Sequence, residues 1–310
     1  MQGWRKRMED SHISDLSVGP SKLTNVFGVF DGHGGKEVAV YVKKHFTDEL
    51  INNASYKKGD FKKALIENFL HMDEMMVEKN GKAELKKEAK KAKEEDDVMM
   101  TQGNKGNQMD MFRQMIDPKQ DPNADIAMFT GCTASVCALH QGKIYFANAG
   151  DSRGVLCRKG VAYALSIDHK PEMETENARI EKAGGWVSEG RVKGKTNLII
   201  GNLNLSRSLG DLEYKQNKRL SAEEQMITAF PDVVIENLTD DCEFMIIGCD
   251  GVWDCKTNQE ACDFVSERLK KNPNAKLSKI IEELLDEILA TDIYTGKEFI
   301  NYLNRNWSWM

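Results

Sequence analysis

Residues 26–35 of this sequence are VFGVFDGHGG, an apolar run that ends in Asp31 and continues into glycines. Such a run predicts a buried β-strand with the Asp31 carboxylate at its end. The glycines allow the backbone to turn sharply and a ligand to approach it closely. A carboxylate, the carbonyl of Gly32 and the imidazole of His33 suit a hard metal ion and its bound water. The alternative is a strand-to-helix turn in which Asp31 is only the N-cap of the next helix.

The same pattern of an apolar run followed by Asp-Gly recurs later in the chain. Residues 244–254 are FMIIGCDGVWD, which places Asp250 directly after a second apolar run. Two buried strands that each end in Asp-Gly predict that Asp31 and Asp250 converge on one cation site. A third run, YFANAGDSR at 145–153, ends in Asp151. Taken alone, this third pattern is more typical of a β-turn between two strands.

Charged side chains cluster near the start of the chain, where residues 1–10 are MQGWRKRMED. Arg5 could bind phosphate oxygens in a bidentate manner, whereas Glu9 and Asp10 could hold metal-bound waters. The alternative is an ordinary solvated terminus in which the same charges face water. The residues of this segment leave both interpretations open.

Strand-like and helix-like runs alternate along the chain. Strands are predicted at 25–30, 133–140, 143–149, 153–158, 161–165 and 243–249. Helices are predicted at 36–50, 60–77, 172–183 and 277–290. Hairpin-linked strands grouped between helices favour an α+β layered architecture over a doubly wound parallel sheet.

The chain is predicted to be a single domain, residues 1–310, that carries an insertion. A chain of 310 residues can bury a large core without disulfide or metal staples. From about residue 78 the sequence is rich in Lys and Glu, and then in Gly, Asn and Gln. Too few apolar residues are present there to form a separate core. We therefore interpret residues 78–128 as a charged surface insertion.

Composition limits the function classes that the chain can serve. The formal net charge of −6 argues against broad electrostatic binding of nucleic acid or anionic membranes. No apolar run approaches the ~18 residues of a membrane span, and the start of the sequence lacks a secretory apolar segment. The 7 cysteines include no C-x-x-C pair, which favours a reducing compartment, cytosol or nucleus, without a disulfide framework.

Together these segments resemble the metal-dependent protein Ser/Thr phosphatases, the type-2C or PPM family. A single D-G-H is a weak signal, but here nine segments occur in the order that the family shows. They lie at 1–10, 29–35, 130–134, 147–153, 168–171, 181–185, 191–192, 205–211 and 249–254. The resemblance runs from residue 1 to about residue 290 and is interrupted only by the insertion.

The resemblance implies a four-layer αββα sandwich, in which two antiparallel sheets pack face to face between flanking helices. It also implies a binuclear Mn²⁺ or Mg²⁺ site at one edge, with a third, weaker ion beside it. In that site Asp31 would bridge two ions, the Gly32 carbonyl would bind one of them, and Asp250 would bind the other. The remaining roles would fall to Glu9 and Asp10 for metal-bound waters, Arg5 for the phosphate, His33 as general acid, and Asp151 and Asp254 for the third ion.

The implied reaction is the hydrolysis of phosphoserine and phosphothreonine in proteins by a metal-activated water. Two cations and an Arg neutralise the phosphoryl oxygens, and an imidazole protonates the leaving oxygen. Catalysis by a cysteine thiolate is the competing phosphatase mechanism, and we expect no cysteine to serve it. The implied partners are phosphorylated protein substrates of a monomeric enzyme, with no nucleic acid and no membrane span.

The resemblance is weakest at the two ends of the sequence. Members of the family carry a first strand before the Met-Gln-Gly-Trp-Arg block, and a late Asp-Asn segment whose Asp ligates one metal. Residues 291–310 show neither that Asp-Asn pair nor the strand that follows it, so we expect an atypical tail and a missing ligand. A second hypothesis therefore stays open, a phosphatase-like binding or regulatory protein with impaired catalysis.

Overall fold

The computed structural model of the chain describes residues 2, 5, 7–101, 124–194 and 203–289, with the backbone alone for 96–101. Its first half contains β1 (Ser11–Val18), β2 (Thr24–Phe30), β3 (Gly32–His33), α1 (Glu37–Asn52), α2 (Ala54–Lys57), α3 (Phe61–Val77) and α4 (Lys79–Thr101). The middle contains β4 (Gly131–Cys132), β5 (Ala134–His140), β6 (Lys143–Ala149), β7 (Arg153–Arg158), β8 (Val161–Ala164) and α5 (Glu174–Lys182). The last part contains β9 (Trp186–Ser188), β10 (Arg191–Lys193), β11 (Leu209–Gly210), β12 (Asp232–Asn237), β13 (Cys242–Gly248), α6 (Asp250–Trp253), α7 (Asn258–Lys271) and α8 (Leu277–Ile288).

Two antiparallel sheets form the centre of the fold. The larger has the strand order β1-β2-β5-β6-β12, and the smaller has the order β13-β7-β8. The β5–β6 hairpin turns at Gln141 (φ 47°) and Gly142 (φ 73°), and the β7–β8 hairpin turns at Lys159 (φ 47°) and Gly160 (φ 76°). Two consecutive residues with positive φ match the twist of antiparallel strands, which explains these two tight connections.

Alternating burial along the central strands produces the layers. In β2, Val29 packs between the two sheets, whereas its neighbour Phe30 packs against the helices outside the larger sheet. In β13, Ile247 faces the other sheet and Ile246 faces α7 and α8. Successive side chains of a strand point to opposite faces, so a strand that is buried on both sides must be apolar throughout.

The predicted α+β fold is confirmed, with helices outside each of the two sheets. One apolar cluster joins the larger sheet to α1 and α3, a second lies between the sheets, and a third joins the smaller sheet to α7 and α8. The resulting order of helix, sheet, sheet and helix agrees with the four-layer sandwich that the sequence implies. The edge at which β2 and β13 end is the part of this framework that matters for the site.

The predicted insertion begins with a helix that is attached to the core. Helix α4 lies against α1 and α3, and its Leu85 is fully buried in the cluster beneath them. Ion pairs also join α4 to α1 through Glu84 and Lys44, and to the following segment through Lys82 and Asp125. The first part of the insertion therefore contributes to the packed interior as well as to the surface. Residues 102–123 of the insertion lie outside the described residues, as does the whole atypical tail, 291–310.

The cysteines are dispersed through the fold as free thiols. None of the seven forms a disulfide, and Cys132, Cys137, Cys157, Cys249 and Cys262 are buried. A buried thiol packs as a small apolar side chain, and the sequence predicts this role for most of them. Within the described ranges, no helix is both long and apolar enough to cross a bilayer.

The burial of Leu85 gives a test of how the insertion is attached. We expect Leu85→Ala to lower the free energy of unfolding by about 2–5 kcal/mol, because it leaves a cavity in a closed cluster. Lys87→Ala, at an exposed position of the same helix, should change the free energy of unfolding by about 0.5 kcal/mol or less. Urea unfolding of both variants measures the difference. Equal, small effects would show that α4 is only a surface addition.

Candidate metal and phosphate site

Asp31 is fixed at the end of β2 by the backbone of the neighbouring segments. Its carbonyl accepts a hydrogen bond from the Thr133 N–H at 2.9 Å, and its own N–H donates to Thr133 Oγ1 at 3.3 Å. The Thr133 hydroxyl also contacts the Ser152 hydroxyl at 2.7 Å, which ties this point to the turn between β6 and β7. The N-cap of α1 is Lys36, so the interpretation of Asp31 as a helix cap is wrong.

Gly32 brings the first charged segment against the end of β2. A Cβ at Gly32 would lie 2.2 Å from the carbonyl oxygen of Glu9, so no larger residue fits without a shift of the backbone. The N-terminal segment therefore passes directly over the Asp31–Gly32 turn. This close approach carries Arg5, Glu9 and Asp10 to the same edge as the ends of the central strands.

Acidic side chains crowd together at this edge. Ligand atoms of Asp10, Asp31 and Cys249 all lie within 4.8 Å of one another. Burial raises the pKa of Asp31 well above its ordinary value, and the charges of Asp10, Asp250 and Asp151 raise it further. The structure thus brings together carboxylates from the N-terminal segment and from the ends of β2, β6 and β13.

Asp10 shows most directly that the acids of this cluster are not all paired. Both of its carboxylate oxygens are buried, and neither has a hydrogen-bond partner among the described residues. Burial, together with the charge of Asp250, raises its pKa to about 7. A buried carboxylate without a partner is costly unless a proton or a cation neutralises it. The solvated-terminus interpretation is therefore wrong for Asp10.

Arg5 is a cation whose guanidinium lies among these acids. Its Nε is buried without a hydrogen-bond partner in the part of the chain that the structure describes. Burial lowers its pKa, and the opposing influence of Glu9, Asp31 and Asp250 shows that its guanidinium lies within their field. A guanidinium that has an unsatisfied N–H and lies beside this cluster of carboxylates can donate hydrogen bonds to an incoming anion.

His33 lies one residue beyond Gly32 and pairs with Asp211. The distance from His33 Nε2 to Asp211 Oδ2 is 2.6 Å. Burial alone would lower the pKa of His33, but Asp211 outweighs that effect and the net shift is upward. The imidazole is therefore held in its charged form more readily than in water. Asp151 and Glu9 add to the same shift, which places His33 near the acidic cluster.

Asp151 and Asp254 complete the predicted set. Asp151 lies between β6 and β7, as a turn residue would, but it is 3% exposed and forms an ion pair with Lys170. Its charge acts on Asp31, so the turn interpretation does not account for its side chain. Asp254 follows α6, and its N–H donates to the Asp250 carbonyl at 2.8 Å. Side chains four residues apart lie on the same face of a helix, so Asp254 lies on the face of α6 that carries Asp250.

The geometry also reveals residues to which the sequence assigned no role. Asp211 and Lys170 occupy segments that the resemblance includes, 205–211 and 168–171, but nothing in their local pattern shows that they contact His33 and Asp151. Lys170 has a raised pKa, since Asp151, Asp250 and Asp168 together outweigh its burial. It is a second cation beside the carboxylates.

Cysteine chemistry is not supported by the structure. Cys262 and Arg268 have the C-x5-R spacing of cysteine-dependent phosphatases, but both belong to α7. Burial raises the pKa of the Cys262 thiol to about 12, so it is not a thiolate near neutral pH. Cys249 is likewise buried, between the two sheets.

Comparisons with known proteins agree with this geometry. The family model described as protein phosphatase 2C matches residues 1–90 and 76–293. The chain is 43% identical over 298 residues to "Probable protein phosphatase 2C 3" of Paramecium tetraurelia, covering 96% of this chain and 86% of the relative. It is 42% identical over 305 residues to "Probable protein phosphatase 2C 21" of Arabidopsis thaliana, covering 96% of this chain and 81% of the relative.

A solved structure shares the fold at lower sequence identity. The serine-threonine phosphatase 2C from Toxoplasma gondii superimposes with a TM-score of 0.64 at 20% identity, covering 92% of this chain and 86% of that chain. At this identity the likeness concerns the fold. It supports the two-sheet architecture described above.

The buried Asp10 carboxylate predicts a specific pH dependence of stability without added metal. Its pKa is about 7 in the folded protein against an ordinary 3.8, so the folded state loses stability as pH rises between these values. Asp10→Asn mimics the protonated group. In a chelating buffer it should therefore raise the free energy of unfolding at about pH 8 and change it little at about pH 4. Asp60→Asn, at the N-cap of α3, is the matched control. Destabilisation by Asp10→Asn at both pH values would contradict the unpaired-charge interpretation.

Proposed function

This chain belongs to the protein phosphatase 2C family, and we propose that it uses Mn²⁺ or Mg²⁺ to hydrolyse phosphoserine and phosphothreonine in proteins. The family membership makes the chain a protein phosphatase. The observation that carries the finer proposal is the close pair of Asp10 and Asp31 beside the charge of Asp250, in which both buried oxygens of Asp10 lack a hydrogen-bond partner among the described residues. Carboxylates arranged in this way favour the binding of divalent cations.

The acidic cluster fits the ions that the family uses. Asp31 and Asp250 would bind them together with the carbonyl of Gly32, and Glu9 and Asp10 would act through bound waters. Asp151 and Asp254 would hold the third, weaker ion. When bound, the ions supply a water acidic enough to act as a nucleophile near neutral pH, and they neutralise charge on the phosphoryl group. Hard oxygen donors are what Mn²⁺ and Mg²⁺ prefer, and the orphaned Asp10 oxygens support this fit.

Two cationic groups of the chain itself would act on the substrate. Arg5 would bind the phosphate, since its guanidinium is partly buried among the acids and its Nε has a donor to offer. His33 would protonate the departing Ser or Thr oxygen. An alkoxide is a poor leaving group, so a positioned acid lowers the barrier to breaking the P–O bond. Asp211 raises the pKa of His33, which favours the charged form of the imidazole that an acid role needs.

The impaired-phosphatase hypothesis receives no support from the comparisons. Relatives that are more than 40% identical over nearly the whole chain are named as protein phosphatases. The atypical tail on which that hypothesis rests lies outside the described residues. We therefore propose a catalytically active single domain acting on phosphorylated proteins. The absence of disulfides supports the further proposal of a reducing compartment, the cytosol or the nucleus, in which we propose that the chain acts as a monomer.

Asp31→Asn tests the metal assignment. We expect the Mn²⁺-dependent release of phosphate from a phosphothreonine peptide to fall by about 10²-fold or more, because the carboxylate would hold both ions. Titration calorimetry should show a parallel loss of Mn²⁺ affinity. Asp60→Asn again serves as the matched control, since Asn caps α3 as well as Asp does. Unchanged activity in Asp31→Asn would overturn the metal mechanism.

His33→Gln tests the proton donor. Turnover of a phosphothreonine peptide should fall by about 10²-fold or more, whereas turnover of p-nitrophenyl phosphate should fall only a few-fold. The reason is that p-nitrophenolate leaves readily without a proton. Steady-state kinetics on the two substrates measure the contrast. Similar losses on both substrates would count against the acid role.

A further inference from the structure

The imidazole of His33 is held from one side by a buried carboxylate that belongs to a distant segment. Asp211 is 3% exposed, and its Oδ2 lies 2.6 Å from His33 Nε2. The same oxygen accepts a hydrogen bond from the Ser208 hydroxyl at 2.5 Å. The pair joins β3 to the loop after β11, at a separation of 178 residues. Contacts this short between charged groups fix the direction of the ring.

The backbone at Gly131 passes so close to the His33–Asp211 contact that no side chain fits there. A Cβ at Gly131 would lie 2.2 Å from Asp211 Oδ2 and 2.7 Å from His33 Nε2, so only glycine permits the approach. Asp211 itself has φ 49°, in the left-handed region that Asp and Asn tolerate better than most residues. Its N–H donates to the Thr130 carbonyl at 3.0 Å. The loop is thus shaped so that its carboxylate points at His33.

A second, half-buried ion pair supports the loop from the side of α3. Asp73 of α3 accepts a hydrogen bond from the Gly210 N–H at 2.8 Å and one from Lys215 Nζ at 2.6 Å. Lys215 Nζ also donates to the Ser208 carbonyl at 2.8 Å. Both ends of the Asp211 turn are therefore attached to a helix of the outer layer. Such support is typical of groups whose orientation matters for function.

We propose that Asp211 is the positioning residue of the general acid, and that His33 Nδ1 is the atom that delivers the proton. This inference rests on the proposed function of His33. The Nε2–H bond to Asp211 is kept throughout the step, so the proton on Nδ1 is the one that can leave. In hydrolases that pair a histidine with an aspartate, the aspartate likewise binds one ring N–H while the other ring nitrogen transfers the proton.

The proton and electron movements balance with water as the only further reactant. As a water oxygen forms its bond to phosphorus and releases a proton, the P–O bond to the serine or threonine breaks and its electron pair stays on the leaving oxygen. The Nδ1–H bond breaks and an O–H bond forms, so the product is a neutral alcohol. The imidazole becomes neutral, retains its Nε2–H toward Asp211, and regains a proton from solvent before the next turnover.

Two substitutions at Asp211 separate orientation from charge. Asp211→Asn keeps an oxygen that can accept from Nε2–H and tolerates positive φ, whereas Asp211→Gly removes the partner altogether without backbone strain. We expect turnover of a phosphothreonine peptide to fall about 10–100-fold in Asp211→Gly and less in Asp211→Asn, because general acids contribute at least this much. Turnover of p-nitrophenyl phosphate should fall less than about threefold, with KM and Mn²⁺ affinity unchanged.

A control and a double variant complete the experiment. Gln141→Gly makes the same change at another residue with positive φ, in the β5–β6 turn, and should leave both activities unchanged. In the double variant His33→Gln/Asp211→Gly, activity on the peptide should equal that of His33→Gln alone, since a residue that acts only through His33 adds nothing once His33 is gone. Thermal unfolding of every variant verifies that it is folded.

The possible outcomes distinguish this inference from the function on which it rests. If His33→Gln slows both substrates alike, the acid role itself fails. If His33→Gln is selective for the peptide but Asp211→Gly slows both substrates equally, Asp211 is structural and the inference is overturned. Additive losses in the double variant, or full activity of Asp211→Gly on the peptide, would also overturn it.

Discussion

The candidate site depends on one constraint: several carboxylates of like charge are held close together at a buried edge of the two sheets. Asp31 is surrounded by the charges of Asp10, Asp250 and Asp151, and burial together with this repulsion raises its pKa. An isolated loop would relax away from such an arrangement. Here the residues just before the acids, Val29 in β2 and Ile247 in β13, are packed between the two sheets. The inter-sheet core thus opposes the repulsion, and bound cations would remove it.

The two proposed functions of the site, cation binding and proton delivery, rest largely on different parts of this framework. The acidic cluster lies at the ends of the central strands and depends on the packing of the sheets against each other. The His33–Asp211 pair instead lies where β3, β4 and β11 form a small separate sheet, which Asp73 attaches to α3. The two parts meet at β3, because its two residues are Gly32, whose carbonyl is a proposed metal ligand, and His33. The proposed cation binding and the proposed proton delivery otherwise use different side chains.

Much of the fold was predictable because both faces of the central strands are buried. Apolar runs fill the second parts of β2 (26–30) and β13 (244–248), and the hairpins β5–β6 and β7–β8 carry recognisable turn residues. The edge strands β1 and β12 are only partly buried and mix polar with apolar residues, so their pattern was too weak to predict a strand. The core role of Leu85 was equally hidden, since one leucine in a charged helix gives no apolar stripe.

The candidate site was predictable only where its chemistry is local in sequence. The Asp-Gly pairs after β2 and β13 predicted that Asp31 and Asp250 belong to one site. The geometry brings their charges together. Asp211 gave no such signal, because its partner lies 178 residues away and a single Asp after a glycine is common in turns. Its contact depends on a glycine at 131, a left-handed residue at 211 and an ion pair from α3. Each requirement is ordinary alone, and only their coincidence in space turns a loop aspartate into a group that orients the imidazole.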